Sequence, residues 1–519
     1  MSFARAVSTV AGLTLVSRVL GFIRDVLLAD ILGAGPVADA YFVAFKLPNF
    51  FRRLFAEGAF SVTFVPLFAK TAHAEGEKAA ERFAEEAQAA MLTILIPMTA
   101  AFLAFMPLVM RVLAPGFVPG SPRYELAVAL CMITFPYLTL ISITALQGGV
   151  LNALDRYGPF AAAPVLFNIC IIGGLFLTPY FKTAGHAAAW GEFAAGFVQV
   201  AWMMGSCRRA GIRLRLRWPT LTPAIRRLFA LMTPAAIGAG AVQINIFIDT
   251  MIGSLLPAGA ISHLYYAERL YQLPLGVIGI AVGTALLPML ARYVKSDDRA
   301  GARALEARAM EASLLLSLPA ATALAVAGRP IMIGLFSRGA FAPADAIMTA
   351  GALAAYSAGI PAYVLAKTLS TAYFAREDTK TPLKFSLITV ALNTALALTF
   401  VLVLHWGIVG IAAATGVTAW LNVGMLGWGL HRRALLGLDD RLTHALPRIL
   451  LATAAMAAAL LLIQEPFADW WAADLSRRAA ALVALVGGGL AVYGGAIMAT
   501  GVAGPGDLKA LLRRPRVAT

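Results

Sequence analysis

Apolar runs of about 20 residues, the length that crosses the hydrocarbon core of a bilayer as an α-helix, recur along the whole chain. Short polar loops separate them. The pattern predicts an all-α polytopic membrane protein with about fourteen transmembrane helices. Their centres are expected near residues 16, 50, 98, 137, 170, 196, 240, 277, 320, 359, 394, 420, 455 and 490.

Cationic side chains interrupt the apolar runs near the start of the chain. They are Arg18, Arg24, Lys46, Arg52 and Arg53. A guanidinium at membrane depth costs at least a few kcal/mol, so such charges face a protein interior or a cavity. Arginine also presents a planar fork of donors that matches phosphate oxygens in pairs. The pattern therefore indicates a cavity that binds an anion, and several convergent arginines favour a diphosphate over a monovalent inorganic anion.

The first apolar run is expected to be a retained helix rather than a signal peptide. Arg18 and Arg24 interrupt it, and no small-x-small cleavage site follows. Arg24 has Asp25 or Asp39 as possible partners, whereas Arg18 has no acidic residue close by. Arg18 is therefore the best single candidate for an anion ligand.

The second helix carries a polar stripe. Asp39, Lys46 and Arg53 are seven residues apart, which keeps them on one slowly drifting face. Asn49 and Glu57 lie near the same stripe, and Arg53 and Glu57 form an i,i+4 pair. The alternative to a binding role is a neutralised packing seam, with Asp39 paired to Lys46 and Glu57 to Arg53. Too few carboxylates are nearby to neutralise every cation, so this alternative explains the acids better than the arginines.

The chain also repeats itself weakly at an offset of about 222 to 226 residues. The matched segments are 64–70 with 286–292, 113–117 with 336–341, and 155–159 with 378–382. The offset covers about six helices, an even number, which predicts two lobes related as a parallel repeat. We expect an N-terminal lobe at residues 1–220, a C-terminal lobe at 221–435, and two further helices with a tail at 436–519.

The second lobe has its own charged pair. Glu268 and Arg269 lie within an apolar segment at residues 265–274. Two interpretations stay open: Glu268 neutralises Arg269, or the pair contacts the substrate.

No phosphate-cradling glycine loop is found in the sequence, so no nucleotide or other cofactor is expected. Energy must then come from an ion gradient, the membrane potential or the gradient of the substrate. Asp249, with Gln243 and Asn245 upstream, and Asn393 are candidates for a Na⁺ or proton site. An interhelical hydrogen bond satisfied by the amides explains the same residues equally well.

The net charge of +15 reflects topology rather than nucleic-acid binding. Basic residues concentrate in alternate loops, with the longest run at 208–227. The opposite loops hold Arg111, Arg123, Lys182, Arg338, Arg477 and Arg478. The positive-inside rule then predicts that both termini are cytoplasmic.

Two segments carry a family resemblance. Residues 17–25 read SRVLGFIRD, and residues 39–60 read DAYFVAFKLPNFFRRLFAEGAF. They resemble the MurJ (MviN) family of bacterial lipid II flippases, which belongs to the multidrug/oligosaccharidyl-lipid/polysaccharide exporter superfamily. Residues 135–137, 151–153, 265–274 and 287–289 are similar to later segments of that family.

The resemblance implies two six-helix lobes and two extra helices that form a lipid-tail groove in the bacterial cytoplasmic membrane. It implies export of lipid II, an undecaprenyl-diphosphate-linked disaccharide-pentapeptide, to the outer leaflet by alternating access. Membrane lipids and other cell-wall synthesis proteins are the further partners it implies. The implied cavity arginines are Arg18, Arg24, Arg52 and Arg269, with Asp39 near the outer gate. Arg53, Glu57 and Glu268 fall on family motif positions, and Asp249 falls where some members have a cation-binding acid.

Other functions fit the residues less well. A multidrug/cation antiporter of the same superfamily is expected to line its cavity with carboxylates and aromatic rings rather than arginines. An enzyme acting on polyprenyl phosphates needs clustered acid, base or metal-binding groups, and the histidines are scattered. A scaffold needs no arginines inside the membrane. The chain is therefore expected to be a transporter and not an enzyme.

Overall fold

The computed structural model describes residues 3–53, 60–437, 439–471 and 473–502, with side chains outside the description at 3–7, 234–243, 280, 281 and 284. Within these ranges the chain is helical and contains no strand. This confirms the predicted all-α fold.

The first ten helices are α1 (Phe3–Leu32), α2 (Pro36–Phe51), α3 (Ser61–Glu75), α4 (Glu77–Ala104), α5 (Met106–Leu113), α6 (Pro122–Thr134), α7 (Tyr137–Ala153), α8 (Gly158–Phe176), α9 (Ala184–Arg209) and α10 (Pro223–Ser254). The remaining helices are α11 (Ala260–Lys295), α12 (Arg299–Val326), α13 (Gly328–Phe336), α14 (Pro343–Ser357), α15 (Ile360–Phe374), α16 (Lys380–Leu398), α17 (Gly407–Arg432), α18 (Asp440–Gln464) and α19 (Leu475–Ala499).

Nine helical segments of the described chain are long and apolar enough to cross a membrane. They are Glu77–Ala104, Pro122–Ala153, Gly158–Phe176, Arg299–Val326, Pro343–Phe374, Lys380–Val403, Gly407–Arg432, Asp440–Trp471 and Leu475–Ala499. The other predicted centres fall in or beside α1, α2, α9, α10 and α11. These five helices carry the charged residues of the candidate site. The total of fourteen spans stays a prediction.

The chain divides into two compact units, and the first comprises Met1–Ser262 with Arg338–Phe341. In this unit α8 packs on α1 and α9, and α2 packs on α6 and α9. Glycines allow the close approach of α8 and α9: a Cβ on Gly174 would lie 2.6 Å from the Ala187 carbonyl oxygen, and one on Gly191 would lie 2.9 Å from that of Cys170. Small residues at a helix contact let two backbones approach in this way. The contact brings Glu192, the neighbour of Gly191, into the interior of the unit.

The extended segment 212–222, which joins α9 to α10, is attached to α4. The Arg215 backbone N–H donates to Glu85 Oε1 at 2.9 Å, and the Arg217 guanidinium also binds the Glu85 carboxylate. Thr222 Oγ1 donates to Glu86 Oε2 at 3.0 Å. The arginine-rich linker is thus held by two acids of α4.

The second unit comprises His263–Ser337 and Ala342–Thr519. Here α12 packs on α15 and α18, and α18 packs on α19. The Tyr493 hydroxyl of α19 donates to the Leu315 carbonyl of α12 at 2.6 Å, and Arg441 Nε of α18 donates to Glu311 Oε2 of α12 at 2.9 Å. These contacts attach α18 and α19 to the rest of their unit. The domain boundaries predicted at residues 220 and 435 stay predictions.

The internal repeat is visible in the backbone at three helix ends. Residues with a left-handed backbone follow α3, α7 and α9 and again, about 221 to 223 residues later, α11, α15 and α17. They are Gly76, Asp155 and Gly211 in the first copy, and Asp297, Glu377 and Ala434 in the second. Left-handed residues close helices by bonding back to the last turn. At the second of these ends the backbone match is Asp155 with Glu377, one residue away from the sequence match with Asp378.

Asp378 accepts hydrogen bonds that connect two helix ends. Its carboxylate accepts from the Thr381 backbone N–H at 3.0 Å and from Arg433 at 2.7 Å. These hydrogen bonds, with that from Arg433 first, lower the pKa of Asp378 to about 2. Asp378 therefore stays ionised at neutral pH and joins the start of α16 to the end of α17.

Candidate functional site

Arg24 is the most firmly held cation of the predicted cluster. Its Nη2 donates to Asp25 Oδ1 at 2.7 Å, and its Nη1 donates to Asn168 Oδ1 of α8 at 3.0 Å. Asn168 in turn donates to the Ser17 carbonyl at 3.1 Å. Gly21 leaves room for this amide, since a Cβ there would lie 3.5 Å from Asn168 Nδ2. Arg24 is buried, and Asn168 together with Asp25 fixes the direction of its guanidinium.

Arg52 is linked to a buried acid through an amide. Arg52 Nε donates to Asn49 Oδ1 at 3.0 Å, and Asn49 Nδ2 donates to Glu192 Oε1 of α9 at 3.3 Å. Glu192 is fully buried, and Arg24 and Arg52 are the cations that act on it electrostatically. Two arginines of α1 and α2 thus share one acid of α9.

Sequence reasoning missed Glu192. It is a single acid in an apolar helix, with Gly191 before it and no charged residue within one turn on either side. Its isolation was itself a signal, because a carboxylate buried in a membrane protein needs a partner. Only the fold shows that the partners are the arginines of the first two helices.

Arg18 lies apart from these contacts. Its side chain is exposed on α1, and within the described ranges it makes no hydrogen bond or ion pair. This agrees with the expectation that Arg18 has no local acid. A cation without an internal partner needs an external anion, water or lipid headgroup.

Asp39 is the centre of a second network. Its fully buried carboxylate accepts from Arg123 Nη2 of α6 at 2.5 Å, the Gly259 N–H at 2.6 Å, and the Ser262 N–H and hydroxyl at 2.8 and 2.9 Å. Gly259 and Ser262 stand at the start of α11, where helix N–H groups lack partners within the helix. Asp39 therefore caps the first turn of α11 from α2, and Arg123 neutralises it.

The predicted pairing of Asp39 with Lys46 is wrong. Lys46 Nζ instead donates to Thr250 Oγ1 of α10 at 3.0 Å. Seven residues are about two helical turns, or roughly 10 Å along the axis, so the two side chains share a face without meeting. Arg53 is exposed and lies two residues after the end of α2. Its predicted partner Glu57 lies outside the described residues.

In the second unit, Glu268 and Arg269 have separate partners. Gln272 Nε2 donates to Glu268 Oε1 at 2.6 Å, one turn further along α11. The Arg269 guanidinium lies over the Tyr265 ring, 4.5 Å from its centroid, one turn earlier. Adjacent residues on a helix do not face each other, which explains why the described contacts do not pair the two charges. The described contacts therefore do not show Glu268 neutralising Arg269.

The candidate cation ligands lie in different units and are described separately. Asp249 is half-buried in α10 of the first unit, with Asn245 one turn before it. Asn393 is buried in α16 of the second unit, where its amide oxygen accepts from Thr418 Oγ1 of α17 at 3.3 Å. Over the described ranges, no three His, Cys, Asp or Glu side chains are grouped to hold a metal ion. Asn393 thus forms the interhelical hydrogen bond that was the alternative to a cation site.

Comparison with known proteins identifies the family and the fold. The family model described as lipid II flippase MurJ matches residues 28–479. This chain belongs to the MurJ family. It is 44% identical over 504 residues to a probable lipid II flippase MurJ of Rhizobium meliloti, covering 95% of this chain and 93% of that protein. It is also 35% identical over 511 residues to the probable lipid II flippase MurJ of Vibrio cholerae, covering 95% of each chain.

Solved structures of related transporters have the same fold. A lipid II flippase MurJ in an inward closed conformation has a TM-score of 0.78 and 25% identity, covering 97% of this chain and 99% of that chain. An inward-facing multidrug resistance transporter of the MATE family, in the MOP superfamily, has a TM-score of 0.68 at 14% identity, covering 83% and 98%. The latter match shows the fold alone. MurJ membership and the apolar helices make the chain a multi-pass protein of the bacterial inner membrane, and the relatives are named as flippases, not as enzymes.

Proposed function

We propose that this chain moves lipid II from the inner to the outer leaflet by alternating access. The observation that carries the proposal is the pair of arginines on α1 and α2, Arg24 and Arg52, oriented by amides and sharing Glu192, with Arg18 exposed on α1. Membership of the MurJ family supports lipid II as the substrate.

A diphosphate is the part of lipid II that these residues suit. Its oxygens are spread over two adjacent phosphates, and a guanidinium binds such oxygens in pairs while it stays charged in a low dielectric. Arg18, Arg24 and Arg52 are the proposed ligands in the first unit, and Arg269 is the proposed ligand in the second. Arg53, Glu57 and Glu268 are proposed to line the same path, and Asp39 to act at the outer gate. The polyprenyl tail is proposed to follow α18 and α19.

The second candidate is another exporter of the MOP superfamily, acting on a polysaccharide-linked lipid or on a drug cation. The fold similarity to the multidrug transporter is the observation in its favour. A cationic drug would meet Arg18 and Arg52 with like charge, which costs binding energy. A polysaccharide-linked lipid shares the diphosphate and differs in the sugar, so the choice of headgroup must be tested directly.

The test is outer-leaflet accessibility of lipid II in cells depleted of their own flippase. Cells that carry this chain are expected to restore accessible lipid II and normal shape, and cells that carry the empty vector are not. A chain that inserts in the membrane at normal levels and leaves lipid II inaccessible would contradict the proposal.

We propose that transport is coupled to an ion gradient or to the membrane potential. Both termini are proposed to lie in the cytoplasm, and other cell-wall synthesis proteins are proposed as further partners. Asp249 is the candidate Na⁺ or proton ligand of the first unit, and Asn393 that of the second. We expect Asp249→Asn to remove the dependence of transport on Na⁺ or pH, since the amide is neutral at every pH and a weaker cation ligand.

The coupling measurement is lipid II transport in proteoliposomes with imposed Na⁺, pH or voltage gradients. Asp469→Asn is the matched control, because Asp469 is an exposed acid outside the candidate sites. An ion dependence unchanged by Asp249→Asn would remove Asp249 from the coupling mechanism.

A further inference from the structure

Glu192 combines complete burial with an incomplete set of hydrogen bonds. Its Oε1 accepts from Asn49, whereas its Oε2 is buried and has no hydrogen-bond partner among the described residues. A buried carboxylate oxygen without a donor is costly, and native proteins keep few such groups. Hydrogen bonds alone therefore do not explain why Glu192 is buried at this position.

Two arginines offset part of the cost of burying Glu192. Arg24 lies on α1, Arg52 directly follows α2, and both attract the Glu192 carboxylate. With Asp25 and Glu192, the set of two arginines and two acids carries no net charge when every group is ionised.

The arrangement resembles a ligand site that is already occupied by a side chain. A diphosphate that binds Arg24 and Arg52 has to compete with the Glu192 carboxylate for the same two charges. An acid fixed beside the arginines thus weakens the bound state and speeds release of the anion. A transporter needs this balance, because an anion held too tightly is not released.

Building on the proposed function, we propose that Glu192 is the resident counter-anion of Arg24 and Arg52, which the diphosphate of the transported lipid replaces. Glu192 acts through the arginines and through Asn49, so it is a positioning residue and touches no substrate atom. It holds the arginines in place when the site is empty and limits the affinity when the site is full.

The test is Glu192→Gln, which keeps the shape and the hydrogen bond with Asn49 and removes the charge. Binding of purified lipid II and, separately, of inorganic pyrophosphate is measured in detergent, and transport of fluorescent lipid II is measured in liposomes. We expect both anions to bind about tenfold more tightly. We also expect KM and kcat of transport to fall together, because release becomes slower. A smaller folded fraction alone would lower the apparent kcat and leave KM and the affinity for pyrophosphate unchanged.

Glu306→Gln is the matched control. Glu306 of α12 is fully buried and has an arginine, Arg376, acting on it. It belongs to the second unit and to no proposed ligand set. We expect unchanged anion binding, and equal tightening in both variants would overturn the proposal, since any lost buried charge would then do the same.

Glu192→Asp covers the case in which the glutamine variant does not fold. The shorter side chain withdraws the carboxylate, and binding tighter than wild type is the expected result. Binding equal to or weaker than wild type, in either variant, overturns the proposal. If the Glu192 variants bind pyrophosphate more tightly but the wild type does not bind lipid II, the role of Glu192 as counter-anion is supported and the assignment of lipid II as substrate is contradicted.

Discussion

Arg18→Ala and Arg52→Ala are each expected to reduce lipid II export to the level of the empty vector while the protein still inserts. Loss of a charged ligand from a desolvated site costs about 2–5 kcal/mol, or roughly thirtyfold to several thousandfold in affinity. Arg18 is the cleaner probe, because the described structure gives it no internal partner to leave behind. Arg24→Ala is less informative, since it would also leave Asp25 buried without its cation.

The measurement is outer-leaflet lipid II accessibility in depleted cells, with membrane insertion followed in the same cells. Arg111→Ala is the matched control: Arg111 is an exposed cation of α5 in the same unit and belongs to no proposed ligand set. Arg52→Lys is expected to retain part of the activity, because the charge remains and the planar fork is lost. Export at the wild-type level by the Arg18 and Arg52 alanine variants would refute the diphosphate assignment.

Asp39→Ala is expected to be the most destabilising single change in the first unit. It removes an acceptor of four hydrogen bonds, leaves Arg123 without its acid, and exposes the first N–H groups of α11. Removal of one partner of a buried ion pair costs roughly 3–5 kcal/mol. The variant should therefore unfold in detergent at a clearly lower temperature than the wild type.

A double-mutant cycle isolates the ion pair. Arg123→Ala removes the other partner, and we expect the double variant to be less destabilised than the sum of the single variants, because each single change leaves one charge unpaired. Asp345→Ala, at the first turn of α14 in the second unit, is a control acid that caps its own helix. An unfolding temperature unchanged by Asp39→Ala would contradict the structural role assigned to Asp39.

The sequence pattern predicted the helices well because hydropathy is a local property. A run of apolar residues forms a helix in a bilayer wherever the rest of the chain lies, since its backbone groups must bond within the segment. The same local pattern predicted Arg18 as a cation without an acid nearby. It was wrong for Asp39 and Lys46, because a shared helix face does not imply contact over two turns.

The charges of α11 show the same limit of sequence reasoning. Adjacency of Glu268 and Arg269 suggested mutual neutralisation, yet each finds its partner one turn away on its own side of the helix. Helical spacing favours i,i+4 neighbours over i,i+1 neighbours, and applying that rule would have predicted Gln272 and Tyr265.

The sequence by itself determined the class of protein, the positions of the charges among the apolar helices, and the family. Tertiary structure alone decided which polar side chain each charge contacts: Arg24 contacts Asn168, Glu192 contacts Asn49, and Asp39 contacts Arg123. The physical reason is the separation of the interacting residues along the chain. Hydropathy acts within one segment, whereas each of these partners lies more than 80 positions away along the chain and is brought close only when the helices pack.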